Sequence, residues 1–182
     1  IHCTSDLEFA EFVCEEVFLN YTKMIKVSNT FNLVLSGGRT PTLIYKYLID
    51  NYINKIDWAR VVFYFVDERC VVPMSLESNY GTAKRHLFDY LGPVKVHRLK
   101  GEISPVSAAI EYEKVILDVN LHCAILGMGE DGHVGSIFPD SKELCDSGTV
   151  ISTKKKYNKY RRLSLTLKAI NRIENKILII NK

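Results

Sequence analysis

An apolar segment of the chain runs directly into a glycine-rich turn that ends in a histidine. The apolar run AIL, residues 124–126, stops at Gly127, and Gly129, Gly132 and His133 follow. Glycine allows a tight turn, and it allows another group to approach the backbone closely because it has no Cβ atom. The pattern therefore predicts a buried strand that delivers a chemically reactive side chain to the open end of a sheet.

Apolar strands alternate with amphipathic helices along the chain. The expected helices cover residues 6–26, a segment that starts at residues 40–41, residues 80–91 and residues 105–119, and the expected strands cover residues 31–36, 61–66, 94–97, 124–126, 149–152, 163–167 and 177–180. This alternation is typical of parallel βαβ units. We therefore expect an α/β fold, with a three-layer, doubly wound, mostly parallel, Rossmann-like sheet and helices on both faces. In such sheets ligands bind at the carboxyl ends of the strands.

Length and composition are those of one globular domain. The chain has 182 residues, of which 47% are hydrophobic and 25% charged, and no apolar run approaches the ~18 residues of a membrane span. No signal-like segment opens the chain, so we expect a cytoplasmic location without a membrane partner. The net charge of +3 is too small to indicate nucleic acid as the main partner, but it is compatible with a small anionic substrate.

Two further features limit the expected organisation. Five scattered cysteines without a C-x-x-C pair argue against a disulfide framework, and neither the cysteines nor the histidines show the spacing of a metal site. The chain stops directly after the apolar run ILII, residues 177–180, which has the character of a central strand. We therefore expect a single domain over residues 1–182 that is incomplete at its C-terminus and belongs to a longer chain.

The turn SGGRTP, residues 36–41, joins a predicted strand to a predicted helix. Gly37 and Gly38 expose backbone N–H groups, and Thr40 is expected to cap the helix. Free N–H groups at the positive end of a helix dipole form an anion site, to which Arg39 could add a contact. A plain turn with a well-capped helix explains the same residues, and the Gly-Lys-Ser/Thr ending of a P-loop is absent.

The sequence Asp67-Glu68-Arg69 follows a strand that is predicted to be buried on both faces, residues 61–66. The forked guanidinium of Arg69 is suited to hold a carbonyl or carboxylate oxygen of a ligand. An internal salt bridge with Asp67 or Glu68 is the alternative.

The segment GMGEDG, residues 127–132, formally matches the G-x-G-x-x-G pattern of dinucleotide-binding loops. Glu130 and Asp131 would repel a pyrophosphate, and Pro139 would end the helix that such a loop opens. His133 is therefore better explained as a general acid or base with Asp131 as its neighbour. A histidine that packs within the turn is the alternative.

A strongly basic run, KKKYNKYRR, occupies residues 154–162 and contains six cations and two tyrosines. Such a run can bind nucleic acid, although most basic runs are solvated loops. In a third interpretation one or two of its cations, chiefly Arg162, neutralise a substrate phosphate.

Four motifs in this order resemble one family. They are SGGRTP, FYFVDERCVV with SNYG, LGMGEDGHVGSIFP, and RRLSLTL followed by Asn171 and Arg172. The set is similar to that of the 6-phosphogluconolactonases, in the glucosamine-6-phosphate isomerase/6-phosphogluconolactonase family, and it covers nearly the whole chain. The resemblance implies hydrolysis of 6-phospho-D-glucono-1,5-lactone in the oxidative pentose phosphate pathway, without a cofactor or metal.

The resemblance also implies a role for each matching residue. His133 would act as general base on the attacking water, Asp131 would help to orient it, and Arg69 would hold the lactone and stabilise the oxyanion. The implied substrate- and phosphate-binding residues are Gly37, Gly38, Arg39, Thr40, Asp67, Asn79, Gly129 and Arg162. Because YNKYRR replaces a Lys-Pro-Pro-like segment of the family, it stays open which basic residue contacts the phosphate.

Two other functions stay open. Related glucosamine-6-phosphate isomerases/deaminases have DEY in place of DER, and they have a glutamate shortly after the histidine, where residues 134–138 read VGSIF here. Arg69 and the missing glutamate disfavour that activity. The other alternative is a non-catalytic sugar-phosphate sensor of the same fold. Some relatives are fused to glucose-6-phosphate dehydrogenase, so the resemblance also raises a fusion to, or association with, that enzyme.

Overall fold

The structure of the chain is a computed structural model that describes residues 1–38 and 40–180. The helices within these residues are α1 (Asp6–Met24), α2 (Thr40–Tyr52), α3 (Asn79–Ala83), α4 (Asp89–Leu91), α5 (Pro105–Ile116) and α6 (Leu167–Asn171). The strands are β1 (Phe31–Leu35), β2 (Val61–Phe65), β3 (Asp67–Arg69), β4 (Lys95–Val96), β5 (Cys123–Met128), β6 (Val150–Ser152), β7 (Arg162–Leu165) and β8 (Asn175–Ile180).

A five-stranded parallel sheet with the order β4–β2–β1–β5–β8 forms the centre of the structure. Every residue of β1 and β2 is buried, as expected for inner strands covered on both faces. The core joins these strands to the helices, with Val13 of α1, Ile44 of α2 and Tyr112 of α5 among its members. The α/β fold with a parallel central sheet, as expected from the sequence, is confirmed.

A second sheet, which the sequence does not predict, follows β2 directly. It is antiparallel, with the order β3–β7–β6. Its register places Arg69 opposite Arg162 and Asp67 opposite Ser164. Residues 67–69 are therefore not simply the end of the buried strand before them, because their backbone pairs in a different sheet.

The segment LSLTL, residues 163–167, is only partly the strand that its alternating pattern predicts. β7 ends at Leu165, and the Thr166 side chain accepts a hydrogen bond of 3.1 Å from the Ala169 N–H, which caps α6. The prediction of a strand up to Leu167 was wrong because a threonine cap at this position starts a helix.

Other predicted boundaries shift by a few residues. α1 ends at Met24, α5 ends at Ile116, and α2 begins at Thr40 itself rather than after it. The helix predicted over residues 80–91 is interrupted by a π-helical turn, Lys84–Phe88, between α3 and α4. Within the described part of the chain, no helix combines the length and the apolarity that crossing a membrane requires.

The basic run at residues 154–162 contains the tip of a hairpin between β6 and β7. Tyr157 and Tyr160 form an antiparallel bridge across the tip. Between them, Asn158 and Lys159 adopt φ values of 48° and 76°. Two successive residues with positive φ are the hallmark of a type I′ turn, which matches the twist of a hairpin. The tip therefore has a defined conformation.

Candidate active site

The segments that the sequence analysis singles out converge on one cavity of about 180 Å³. Its lining includes Gly37, Gly38 and Thr40 after β1, Asp67 and Arg69 of β3, Asn79 of α3, Gly129 and His133 after β5, and Arg162 of β7. Asp131 is not in the lining but contacts His133, and Arg39 lies outside the described residues. The residues after β1 and β5 converge because parallel strands have their carboxyl ends at the same edge of a sheet. The antiparallel pairing of β3 with β7, directly after β2, brings Asp67, Arg69 and Arg162 to the same place.

The turn after β5 brings the His133 imidazole back against the backbone of Gly129. The Gly129 N–H donates to the His133 carbonyl at 2.9 Å. A Cβ atom on residue 129 would lie 2.2 Å from Cε1 of His133, so only glycine fits here. The close approach that the sequence predicts at this glycine is therefore made by the imidazole of the same turn.

Asp131 fixes one nitrogen of the imidazole. Its Oδ1 lies 2.5 Å from Nδ1 of His133, and it also accepts the His133 N–H at 3.3 Å. The hydrogen bond from the His133 side chain lowers the pKa of Asp131, which favours a carboxylate as the partner of Nδ1. A proton held on Nδ1 leaves the lone pair on Nε2, the form that a general base requires.

Asp67 is buried, and its carboxylate connects three segments of the chain. Oδ1 accepts from Nδ2 of Asn79 at 2.9 Å, and Oδ2 accepts from the Ser136 hydroxyl at 2.6 Å. Arg162 Nη1 lies 4.0 Å from Oδ2, the longest of these contacts. Asn79 in turn packs against Gly37, where a Cβ would lie 1.7 Å from Oδ1 of Asn79. Asp67 thus holds the cavity wall together, and no pattern in the sequence points to its partner Ser136.

Glu68 points to the opposite side of β3 and is 3% exposed. Its carboxylate accepts four hydrogen bonds, from the N–H groups of Arg69, Asn79 and Tyr80 and from the Ser78 hydroxyl. Burial raises the pKa of Glu68, against the effect of these four donors. Glu68 therefore joins β3 to the start of α3. In the sequence, this contact is indicated only by Ser78, a short polar residue directly before α3.

The guanidinium of Arg69 is not held by Asp67 or Glu68 in an internal salt bridge among the described residues. Its Nη1 donates to the Glu77 carbonyl at 2.6 Å, and Glu68 accepts only the backbone N–H of Arg69. The alternative of an internal salt bridge, raised from the sequence, is therefore wrong for these residues.

Two arginines face each other across the antiparallel sheet. Arg69 and Arg162 are directly opposite, and burial, followed by the charge of Arg69, lowers the pKa of Arg162. Like charges in this arrangement are unfavourable unless an anion lies between them. Among the described residues, Arg69 Nε, Arg162 Nε and Asn79 Oδ1 are buried without a hydrogen-bond partner. The two opposed arginines, which both line the cavity, make this wall suited to a negatively charged ligand.

Neither a dinucleotide nor a metal is favoured by the geometry of the described residues. The turn after β5 does not open a helix, since Met128 and Val134 instead form an antiparallel bridge. Within the described part of the chain no three His, Cys, Asp or Glu side chains come close enough together to hold a metal ion.

Comparison with known proteins identifies the family. The family model for glucosamine-6-phosphate isomerases/6-phosphogluconolactonase matches residues 4–182. The 6-phosphogluconolactonase of Aggregatibacter actinomycetemcomitans is 33% identical over 88% of this chain and 72% of that protein. The GDH/6PGL endoplasmic bifunctional protein of Oryctolagus cuniculus is 29% identical over 83% of this chain and 20% of that protein. The crystal structure of 6-phosphogluconolactonase from Thermotoga maritima matches with a TM-score of 0.82 and 28% identity, covering 95% of each chain. The chain therefore belongs to the glucosamine-6-phosphate isomerase/6-phosphogluconolactonase family.

Proposed function

We propose that this chain hydrolyses 6-phospho-D-glucono-1,5-lactone to 6-phosphogluconate. The observation that carries the proposal is the placement of an imidazole, His133, in one cavity with two arginines, Arg69 and Arg162. An imidazole supplies the base that activates water, and guanidinium groups stabilise the charge that develops on a carbonyl oxygen. Relatives named 6-phosphogluconolactonase support the same substrate.

His133 acts first, as the general base. Nε2 takes a proton from water while the water oxygen attacks C1 of the lactone, and the C1 carbonyl oxygen becomes an oxyanion. Asp131, which lies 2.5 Å from Nδ1, holds the imidazole in the required tautomer and stabilises the imidazolium.

Arg69 stabilises the oxyanion, since it lines the same cavity as His133 and its Nη1 is anchored on the Glu77 carbonyl. Collapse of the tetrahedral intermediate breaks the bond between C1 and the ring oxygen. The imidazolium returns its proton to that oxygen, which becomes a hydroxyl group. C1 becomes a carboxylic acid, which releases the second proton of the attacking water to solvent and so ends as a carboxylate. Loss of one oxyanion donor costs about 10²–10³ in kcat in other hydrolases.

The phosphate is placed at the start of α2 and near Arg162. Gly37 and Gly38 line the cavity directly before this 13-residue helix, whose N-terminal N–H groups and dipole favour an anion. Arg162 brings a buried positive charge to the same cavity. Asn79 and Asp67 shape the wall between these two positions, through the hydrogen bond that joins them.

The isomerase/deaminase activity of the family is the second candidate, and one contact disfavours it. Residues 134–138 read VGSIF, without a carboxylate. Ser136 in this segment has a hydroxyl instead of a carboxylate, and that hydroxyl already donates a hydrogen bond to Asp67. A sugar-phosphate sensor would need the same binding residues but no base.

An assay of lactone loss tests the proposal. Freshly generated lactone is followed with and without enzyme, so that spontaneous hydrolysis is subtracted. We expect His133→Gln to lower kcat by about 10²–10⁴-fold, and His86→Gln, a change at an exposed histidine on the turn before α4, to have no effect. No acceleration by the wild-type chain, or full activity of His133→Gln, would contradict the proposal. Ammonia release from glucosamine 6-phosphate would favour the deaminase, and tight 6-phosphogluconate binding without turnover would favour the sensor.

We further propose that residues 1–182 form one lactonase domain, which is cytoplasmic and is fused to, or associates with, glucose-6-phosphate dehydrogenase. The bifunctional rabbit relative supports the fusion. The size of the native polypeptide on an immunoblot tests the fusion. The subcellular fraction in which the polypeptide appears tests the cytoplasmic location.

A further inference from the structure

Three rings are stacked beside the cavity. The His133 and Phe138 ring centroids are 4.7 Å apart with an interplanar angle of 29°. Phe138 also stacks on Tyr157, with the ring centroids 3.7 Å apart and an interplanar angle of 6°. We propose that Tyr157, at the tip of the hairpin between β6 and β7, is a positioning residue for the reaction, which holds the His133 imidazole in place through Phe138. The proposal rests on the lactonase function argued above.

The stack supplies a restraint that Asp131 does not. A hydrogen bond to Nδ1 fixes the direction of that nitrogen, whereas a ring against the imidazole face fixes its plane. Both restraints are needed to aim Nε2. The Asp131 side chain is 58% exposed, so its contact alone competes with water. The negative face of Phe138 also attracts the imidazolium that forms when His133 takes up a proton.

Tyr157 contacts the arginine side of the cavity as well. Its carbonyl accepts a hydrogen bond of 3.4 Å from Nη2 of Arg162. The turn across Asn158 and Lys159 keeps the carbonyl and the ring in a fixed relation, because the N–H of Tyr157 donates to the Tyr160 carbonyl at 2.8 Å. Tyr157 thus contacts both sides of the cavity. Its ring reaches His133 through Phe138, and its backbone carbonyl binds Arg162.

Three variants separate positioning from structural support. Tyr157→Leu removes the stacking ring but keeps the carbonyl that Arg162 contacts. Tyr157→Phe keeps the ring and removes only the hydroxyl. Tyr160→Leu is the matched control, since Tyr160 lies in the same bridge and has no ring contact among the described residues.

We expect Tyr157→Leu to lower kcat roughly 2- to 10-fold, the value of one aromatic pair, with unchanged KM and unchanged affinity for 6-phosphogluconate. Tyr157→Phe and Tyr160→Leu should both keep the wild-type kcat. Equal losses in Tyr157→Leu and Tyr160→Leu, a change in KM alone, or a wild-type rate for Tyr157→Leu would overturn the proposal.

An NMR measurement keeps the test independent of activity. The Hε1 proton of His133 is shielded while a ring lies against the imidazole, so its signal should move downfield in Phe138→Leu and part of the way in Tyr157→Leu. An unchanged signal in both variants would overturn the proposal. If the wild-type chain fails to hydrolyse the lactone, the proposed function is wrong, and this signal still decides whether the stack orders His133.

Discussion

Replacing Glu68 by glutamine tests how strongly its hydrogen bonds hold β3 against the start of α3. The carboxylate accepts at both oxygens, since Oε1 takes the N–H groups of Arg69 and Asn79, and Oε2 takes the Tyr80 N–H and the Ser78 hydroxyl. A glutamine amide keeps the shape of the side chain but replaces one acceptor oxygen by a donor. The substitution therefore changes only the hydrogen bonding and the charge.

The cost follows from the less damaging orientation of the amide. With Nε2 at the position of Oε2, the Ser78 hydroxyl can turn to accept from Nε2, but the Tyr80 N–H and the Ser78 hydroxyl proton then lose their acceptor. A buried donor without a partner costs about 1–3 kcal/mol, less where a hydroxyl can rotate toward another acceptor, and the remaining bonds lose the benefit of a charged acceptor. We expect the free energy of unfolding to fall by about 2–4 kcal/mol, a large part of the ~5–15 kcal/mol that stabilises a typical domain.

Urea unfolding measures this change. A loss of this size lowers the midpoint by roughly 1–2 M for a slope of about 2 kcal/mol per M. Glu77→Gln, at an exposed residue of the loop that precedes α3, is the control and should stay within about 0.5 kcal/mol of the wild type. A similarly small effect for Glu68→Gln would refute the reasoning, because it would mean that a neutral side chain satisfies these donors equally well.

Three further outcomes are expected. Gly129→Ala should lower kcat about 10²-fold with little loss of stability, because its Cβ would lie 2.2 Å from Cε1 of His133 and would displace the imidazole. Kinetics and thermal unfolding together check this. Arg69→Lys should lower kcat by about 10²-fold, because a point charge cannot replace the fork that also donates to the Glu77 carbonyl; wild-type kinetics would make Arg69 structural. Burial lowers the pKa of His122, and its neutral Nδ1 accepts a hydrogen bond from the Asn32 N–H. The stabilisation from neutral, buried His122 is therefore complete above about pH 6.5 and is lost as the pH falls further. The decline in unfolding free energy between pH 7 and 5 should be shallower in His122→Gln, and an equal slope would contradict this.

The parallel sheet could be predicted from the sequence because its strands are continuous apolar runs. β1 and β2 are buried on both faces, and such strands need no information from distant residues to be recognised. The strand ends then had to meet at one edge, so the grouping of Gly37, Arg69 and His133 around one cavity followed from topology.

The antiparallel sheet could not be predicted in this way. β3 has three residues and β7 has four, and their pairing joins segments more than 90 positions apart. The run LSLTL looked like one strand, although Thr166 already belongs to the start of a helix. The partners of the site residues, such as Ser136 for Asp67, depend on this pairing and carry no pattern of their own.

The three residues Asp67, Glu68 and Arg69 show how one short strand serves both the cavity and the fold. Successive side chains of a strand point to opposite faces. Asp67 and Arg69 line the cavity, while Glu68, between them, accepts hydrogen bonds from the start of α3. Their adjacency in the sequence suggests a single charged cluster, but the strand divides them into two functions. A change at Glu68 should therefore act first on stability, and changes at its two neighbours should act first on what the cavity binds and turns over.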